Sequence, residues 1–267
     1  MFSHPTREFL SVRAVVANGH KAITSQTIPA SGECEPALLD RFTDMEKGAQ
    51  TWLDVVVGHL DRPLLPAPPL VMAAEGNDIA NFFNEVQLAS SGAQISATSL
   101  ANEVAGLPQI VHRRDVLTAY PYTNTLTVLE ISGEVLRKAI ERSAEYFALD
   151  DDGQLCVSDQ FLKPKVEHYN FDYYAGVDYT IDVKRPIGQR VSSLMYHGRP
   201  VTAQDSFTIC VNSYRASGAG GYPMYLHCPV VREINAEMSD LILDFFKSKP
   251  LLTVENPSNC CVLIEKV

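Results

Sequence analysis

The sequence has no run of about 20 apolar residues, the length a helix needs to cross a bilayer. It has no Cys-x-x-Cys either. None of the six cysteines (Cys34, Cys156, Cys210, Cys228, Cys260, Cys261) stands beside a histidine at zinc-ligand spacing. Their density is far below that of a small domain stapled by disulfides, so the redox compartment stays open. Cys210 lies inside an apolar strand pattern and reads as a buried thiol. Positive charge is scarce: 22 Lys and Arg against 32 Asp and Glu give a net charge of −10. That argues against a nucleic-acid polymer as partner, because a phosphate backbone needs a basic stripe and the basic residues here are scattered. A single nucleotide stays open, since stacking rather than charge can hold its base.

Hydrolytic signatures are missing as well. There is no Gly-x-Ser-x-Gly elbow and no His-Glu-x-x-His. The seven histidines (His4, His20, His59, His112, His168, His197, His227) are spread along the chain. A dinuclear metal centre needs several His, Asp and Asn ligands converging from strand ends, and none assembles from these positions. His20, in Ala17-Asn-Gly-His20, reads as a turn residue. The opening residues Met1-Phe-Ser-His-Pro-Thr-Arg-Glu are polar at once and lack a basic-then-apolar leader pattern. That leaves a cytoplasmic protein or a piece whose upstream part has been removed. On residues alone the chain reads as a binding domain without a catalytic centre of its own.

What the sequence does contain is the make-up of a globular protein, 46% hydrophobic and 20% charged over 267 residues. Two short strands are expected at Phe9–Val16 and Lys21–Ile28, with no helix beside them. Helical spacing then runs from Ala37 to about His59, through Leu38, Leu39, Phe42, Met45, Trp52, Leu53, Val56 and Val57. Arg62-Pro-Leu-Leu-Pro-Ala-Pro-Pro69 is the densest proline cluster and predicts a stiff linker or extended crossing. Helix and strand alternate after it. Ile79, Phe82, Phe83 and Val86 form one helical face, with Asn77 or Asp78 as N-cap. Strands are expected at Ala93–Ala97, Leu126–Ile131, Val177–Val183, Val191–Tyr196 and Phe207–Val211. An amphipathic helix follows Ser132 and Gly133, burying Val135, Leu136, Ala139, Ile140, Ala144 and Phe147. Asp150–Gly153 and His197-Gly198 read as turns. A last helix carries Leu241, Ile242, Phe245 and Phe246, before a strand near Val262–Ile264. The fold class expected is mixed α/β of the α+β kind, with a mixed sheet and packed helices in layers.

Two aromatic loops stand out. Asn212-Ser-Tyr-Arg-Ala-Ser-Gly-Ala-Gly-Gly-Tyr222 follows the strand-like Phe207–Val211, and Tyr120-Pro-Tyr-Thr-Asn-Thr-Leu126 precedes another strand. Glycines beside an aromatic suit a loop that lets a flat ligand approach the backbone, and two such aromatics suit gripping a nucleobase. Glycine-rich hairpins with a tyrosine also occur without any ligand, so spacing alone leaves both readings open.

The order of several segments carries a resemblance. Gly92-Ala-Gln-Ile-Ser-Ala-Thr-Ser-Leu100, Arg114-Asp-Val and Tyr120–Leu126 come first. Ile131-Ser-Gly-Glu-Val-Leu, Glu141-Arg-Ser-Ala-Glu-Tyr-Phe147 and Tyr169-Asn-Phe-Asp172 follow, then Gly176–Asp182, Pro186–Arg190 and Asn212-Ser-Tyr-Arg-Ala216. This series resembles the C-terminal domain of the 5′-nucleotidase family from about Glu33 to Lys249. The branch it looks like is that of bifunctional 2′,3′-cyclic-nucleotide 2′-phosphodiesterase/3′-nucleotidases.

The resemblance implies a division at residues 1–33, 34–69 and 70–267. These would be the last strands of an N-terminal metallophosphoesterase domain, a bridging helix with a Pro-rich linker, and the substrate-binding domain. Gln50-Thr-Trp-Leu-Asp54 resembles the end of the joining helix. The partners implied are a nucleotide or nucleoside and the chain's own N-terminal domain. Two divalent metal ions would sit in that domain and none here. The parent enzyme would be extracytoplasmic, in the periplasm, secreted or in the cell wall. By resemblance Tyr122 and Tyr214 sandwich the base. Asn102 and Arg215 are the candidates for the phosphate side, with Gly218 and Gly220 in the loop. The 5′-nucleotidase branch carries Asn-x-Gly-x-x-Arg where this chain reads Thr98-Ser-Leu-Ala-Asn102, and an aspartate where this chain has Gly220. Both departures favour the cyclic-nucleotide branch. The alternatives are the 5′-nucleotidase/UDP-sugar hydrolase branch and a non-catalytic binding or adhesion module.

Overall fold

A computed structural model describes residues 8–30, 35–249, 251–255 and 258–264. The expectations for His4 and Cys34 lie outside the described residues. The chain divides into two units, Met1–Thr51 and Trp52–Val267. In the first unit β1 (Glu8–Ala17) and β2 (His20–Pro29) form an antiparallel hairpin. Asn18 (φ 50°) and Gly19 (φ 77°) make its two-residue turn, the geometry that Asn-Gly favours. His20 directly follows the turn, opposite Ala17. Helix α1 spans Pro36–Leu53, opening on a proline whose missing N–H costs nothing in a first turn.

The helix stops earlier than its apolar spacing predicts. Val55-Val-Val57 is β-branched and Gly58 follows, a run that suits a strand better than a helix. Accordingly β3 occupies Val56–Leu60 in the second unit. There α2 (Pro69–Glu75), α3 (Asp78–Ser91), β4 (Ile95–Ser99), β5 (Ile110–His112) and α4 (Arg113–Ala119) follow. Next come β6 (Leu126–Ser132), α5 (Gly133–Ala144), β7 (Phe147–Leu149), β8 (Leu155–Val157), β9 (Asp172–Ala175) and β10 (Asp178–Asp182). The rest is β11 (Val191–Tyr196), β12 (Arg199–Pro200), β13 (Ser206–Asn212), α6 (Ser213–Ala216), β14 (Val230–Ile234), α7 (Met238–Ser248), β15 (Leu251–Leu252) and β16 (Cys260–Leu263).

The central sheet has the order β14-β6-β13-β4-β9. It is mixed: β13 runs parallel to β4 and antiparallel to β6, and β4 is antiparallel to β9. Smaller sheets, β12-β11-β10-β16 and β15-β3-β5, complete the layers. Alternate residues of β13 feed two cores. Phe207, Ile209 and Val211 join the cluster built on Leu136, Ala139 and Ile140 of α5, while Cys210 joins Phe82 and Phe83 of α3 and Phe246 of α7. Burial on both faces explains why this strand reads as an almost unbroken apolar run.

The α+β architecture therefore agrees with the sequence reading, and so do several local signals. Asn77 caps α3 by accepting the Ile79 amide at 2.8 Å. His197 (φ 47°) and Gly198 (φ 76°) turn β11 into the short β12, which the sequence reading does not separate out. The proline segment at 62–69 is an extended crossing rather than a free linker. Leu64 within it is completely buried and bridges Leu107, and Leu60 joins the same core, so this stretch folds with the second unit.

Candidate functional site

One edge of the central sheet gathers the loops that matter. Asn212 at the end of β13 pairs with Leu126 at the start of β6, and Ser99 at the end of β4 pairs with Asp172 at the start of β9. The segments beyond these four points rim a cavity of about 260 Å³. Its lining residues are Ser99, Tyr122, Asn124, Tyr169, Asn212 and Tyr214. Strand-end loops on a rigid sheet are where folds of this kind place ligands.

Tyr122 and Tyr214 come together here, 37% and 41% exposed. Tyr122 is steadied from behind. Tyr120, buried, meets it edge-on at 6.1 Å and 90°, and Phe83 in turn meets Tyr120 edge-on at 5.2 Å. Burial pushes the Tyr120 phenol up to about 12, with hydrogen bonding to Asn124 and Asn212 working against the rise. The Tyr122 phenol is also raised, first by burial and then by the nearby Tyr169 and Tyr214 hydroxyls, with Arg215 opposing. The lining of the pocket is thus aromatic, amide and hydroxyl, with no Asp, Glu, Lys, Arg or His in it.

The Asn-Ser-Tyr-Arg segment divides its labour residue by residue. Asn212 caps α6 by accepting the Arg215 amide at 2.8 Å, Tyr214 faces the pocket, and Arg215 turns inward. Arg215, the sequence candidate for the phosphate side, is 1% exposed and is not among the lining residues. Its Nε donates to both oxygens of Asp172 at 2.9 and 3.0 Å, and Nη2 donates to the Tyr169 carbonyl at 2.6 Å. Nη1 reaches Asn170 Oδ1 at 3.3 Å and the Ala219 carbonyl at 3.4 Å. Burial works to lower the Arg215 pKa, but the Asp172 carboxylate outweighs it and holds the group above its ordinary value.

The glycines of this loop differ in what they meet. Gly220 has φ of +72°, and a Cβ there would strike Arg215 Nη1 and Asn170 Oδ1. Gly218 lies against the Leu226 side chain. Neither lines the cavity. Asn102 is also outside it, donating through Nδ2 to the Val166 carbonyl at 2.8 Å.

Four lining residues escape the sequence reading as site residues: Ser99, Asn124, Tyr169 and Asn212. Each falls within a segment that carries the resemblance, so position relative to the strand ends was the available signal. Among the described residues no three His, Cys, Asp or Glu side chains converge as a metal site. Among the described residues no helix is long and apolar enough to cross a membrane.

The second unit is a mixed-sheet domain with an aromatic cavity on its strand-end loops. The chain belongs to the family described as 5′-nucleotidase, C-terminal domain, which it matches over residues 56–227. It is 30% identical over 145 residues to the 2′,3′-cyclic-nucleotide 2′-phosphodiesterase/3′-nucleotidase of Haemophilus influenzae, covering 48% of this chain and 22% of that protein. It is 29% identical over 145 residues to a trifunctional nucleotide phosphoesterase of Bacillus subtilis, covering 49% of this chain and 10% of that one. A solved Staphylococcus aureus structure, assigned as a 5′-nucleotidase and complexed with α-ketoglutarate, superposes with a TM-score of 0.82 at 35% identity. That match covers 94% of this chain and 49% of the other. The chain spans less than half the length of each of these proteins.

Proposed function

We propose that this chain is the base-binding part of a metal-dependent nucleotide phosphoesterase acting on 2′,3′-cyclic nucleotides and 3′-nucleotides. The observation that carries the reading is the pair Tyr122 and Tyr214, both part-exposed on one uncharged cavity. Its volume of about 260 Å³ falls just under the roughly 300–1,000 Å³ of pockets that enclose whole drug-sized ligands. It suits the base, with ribose and phosphate outside. Stacking contributes about 1–3 kcal/mol per base and tolerates different bases, which fits a scavenging enzyme. Asn124, Asn212, Ser99 and Tyr169 supply hydrogen-bonding groups for the edge of the ring.

The hydrolytic centre belongs to residues outside this chain, in a metallophosphoesterase domain preceding it. Residues 1–33 would be the last strands of that domain, and the stretch up to residue 69 would carry the joining helix. The metals would supply an activated hydroxide and neutralise developing charge there. This chain's part is to fix the nucleotide so that its phosphate is presented correctly, a positioning effect worth several kcal/mol in barrier. The parent enzyme would work outside the cytoplasm, in nucleotide catabolism.

The branch rests on what the site does without: no arginine follows β4 in the motif position, and Gly220 stands where the other branch has aspartate. Losing one charge-assisted contact to a 5′-phosphate costs about 1.5–3 kcal/mol, tenfold or more in preference. The test is kcat/KM for 2′,3′-cAMP, 3′-AMP and 5′-AMP on the longer protein with saturating metal. The first two should be preferred, and this chain alone should release no phosphate. A preference for 5′-AMP would move the protein to the 5′-nucleotidase branch.

A further inference from the structure

Arg215 and Asp172 form a buried ion pair that the base-stacking reading leaves without a role. Each is only 1% exposed. Such pairs are poor sources of stability, because taking two charges out of water costs about as much as their attraction returns. An apolar pair of the same volume would fill the space as well. What an apolar pair cannot do is hydrogen bond in fixed directions.

Arg215 donates from Nε to Asp172, from Nη2 to the Tyr169 carbonyl and from Nη1 to Asn170 and Ala219, and its Nη2 also lies 2.9 Å from Asp172 Oδ1 as an ion pair. One acceptor matters most here. The Tyr169 carbonyl belongs to a wall of the pocket, on a segment 46 residues earlier in sequence. The other wall, Tyr214, is Arg215's immediate neighbour, with its ring centroid 5.4 Å from the guanidinium. The backbone N–H of Arg215 is held by Asn212 and its side chain by Asp172, so Tyr214 is attached to a residue fixed at both ends. The guanidinium also lies 4.4 Å over the Tyr222 ring, and Gly220 leaves it room where any Cβ would displace it.

We infer that Asp172 and Arg215 are positioning residues for the ligand site, locking the Tyr169 and Tyr214 walls at one separation through the rigid guanidinium fork. The pair contacts no ligand and acts through the two tyrosines. The inference rests on the pocket being the base site, and the test separates the two.

Adenosine is titrated into the full chain as wild type, Tyr214→Ala, Arg215→Lys and the paired variant Asp172→Leu/Arg215→Met. Thermal midpoints and circular dichroism are recorded alongside. The paired variant removes both charges together, so it should fold, with a midpoint lowered only by the Tyr169, Asn170 and Ala219 acceptors that lose their donor. It should still bind adenosine at least fivefold more weakly. Adding Tyr214→Ala to it should cost little more, because the effect already passes through that ring. Arg215→Lys keeps the charge but loses the fork, and should also weaken binding while folding. Wild-type affinity in the folded paired variant, or in Arg215→Lys, would overturn the inference and leave the pair a packing unit. Failure of the paired variant to fold would overturn it too, since stability would then be the pair's role. Adenosine binding that is absent in wild type, or unchanged in Tyr214→Ala, would instead overturn the base site itself and this inference with it.

Discussion

The side chain of Asn212 accepts the backbone N–H of Arg215 at 2.8 Å, and this bond sets how the four residues of α6 face. With the cap in place Tyr214 looks into the pocket and Arg215 into the core. Asn212→Ala should therefore lower stability by about 0.5–2 kcal/mol, the usual worth of an N-cap, and weaken adenosine binding as well. Asn77→Ala removes a comparable cap from α3, away from the pocket. It should cost similar stability and leave binding unchanged. Urea midpoints and titration calorimetry on both variants check the contrast.

Acidification should tell at His168. Its Nδ1 lies 2.6 Å from the Tyr146 hydroxyl, and burial holds its pKa below the ordinary histidine value. The folded protein thus binds this proton less readily than the unfolded chain does. The stability involved is fully present above about pH 6.5 and is lost as pH falls through the depressed folded value. Urea midpoints at pH 7, 6 and 5 should fall more steeply for wild type than for His168→Gln. Equal slopes would mean that His168 is not a source of the acid sensitivity.

Gly133, in the Ile-Ser-Gly-Glu segment, is a close-approach glycine. A Cβ there would collide with the Thr202 carbonyl and a methyl of Val201. The contact is with backbone, which cannot swing aside, so Gly133→Ala should destabilise by about 1–3 kcal/mol. Gly48 in α1 has open space around it, and Gly48→Ala should instead add about 0.5–1 kcal/mol through helix propensity. Thermal unfolding of the two variants should move in opposite directions.

Much of this was legible because it is local. The Ser132 cap and apolar face of α5, the two-sided burial of β13 and the Asn18-Gly19 turn are each written in a few adjacent residues. The two pocket tyrosines were legible through the strands that flank them. Arg215 was not, because a cation is normally a surface group and only Asp172, 43 residues earlier, makes its burial tolerable. Tyr169 was missed for a similar reason, since the β4–β9 pairing brings its turn to the sheet edge. Strand β3 was absorbed into the preceding helix because Val56 and Val57 happen to continue the helical spacing. For the proline segment the sequence left linker and extended crossing both open, because burial of Leu64 depends on Leu107, far along the chain.

The most direct measurement is calorimetric titration of adenosine and 3′-AMP into the wild-type chain, Tyr122→Ala and Tyr214→Ala. Both rings are part-exposed, so both variants should stay folded. Saturable binding to wild type is expected, weakened by about 1–3 kcal/mol in each variant, which is roughly fivefold to a hundredfold in Kd. Wild-type affinity in both folded variants would contradict the account and move the base away from this pocket.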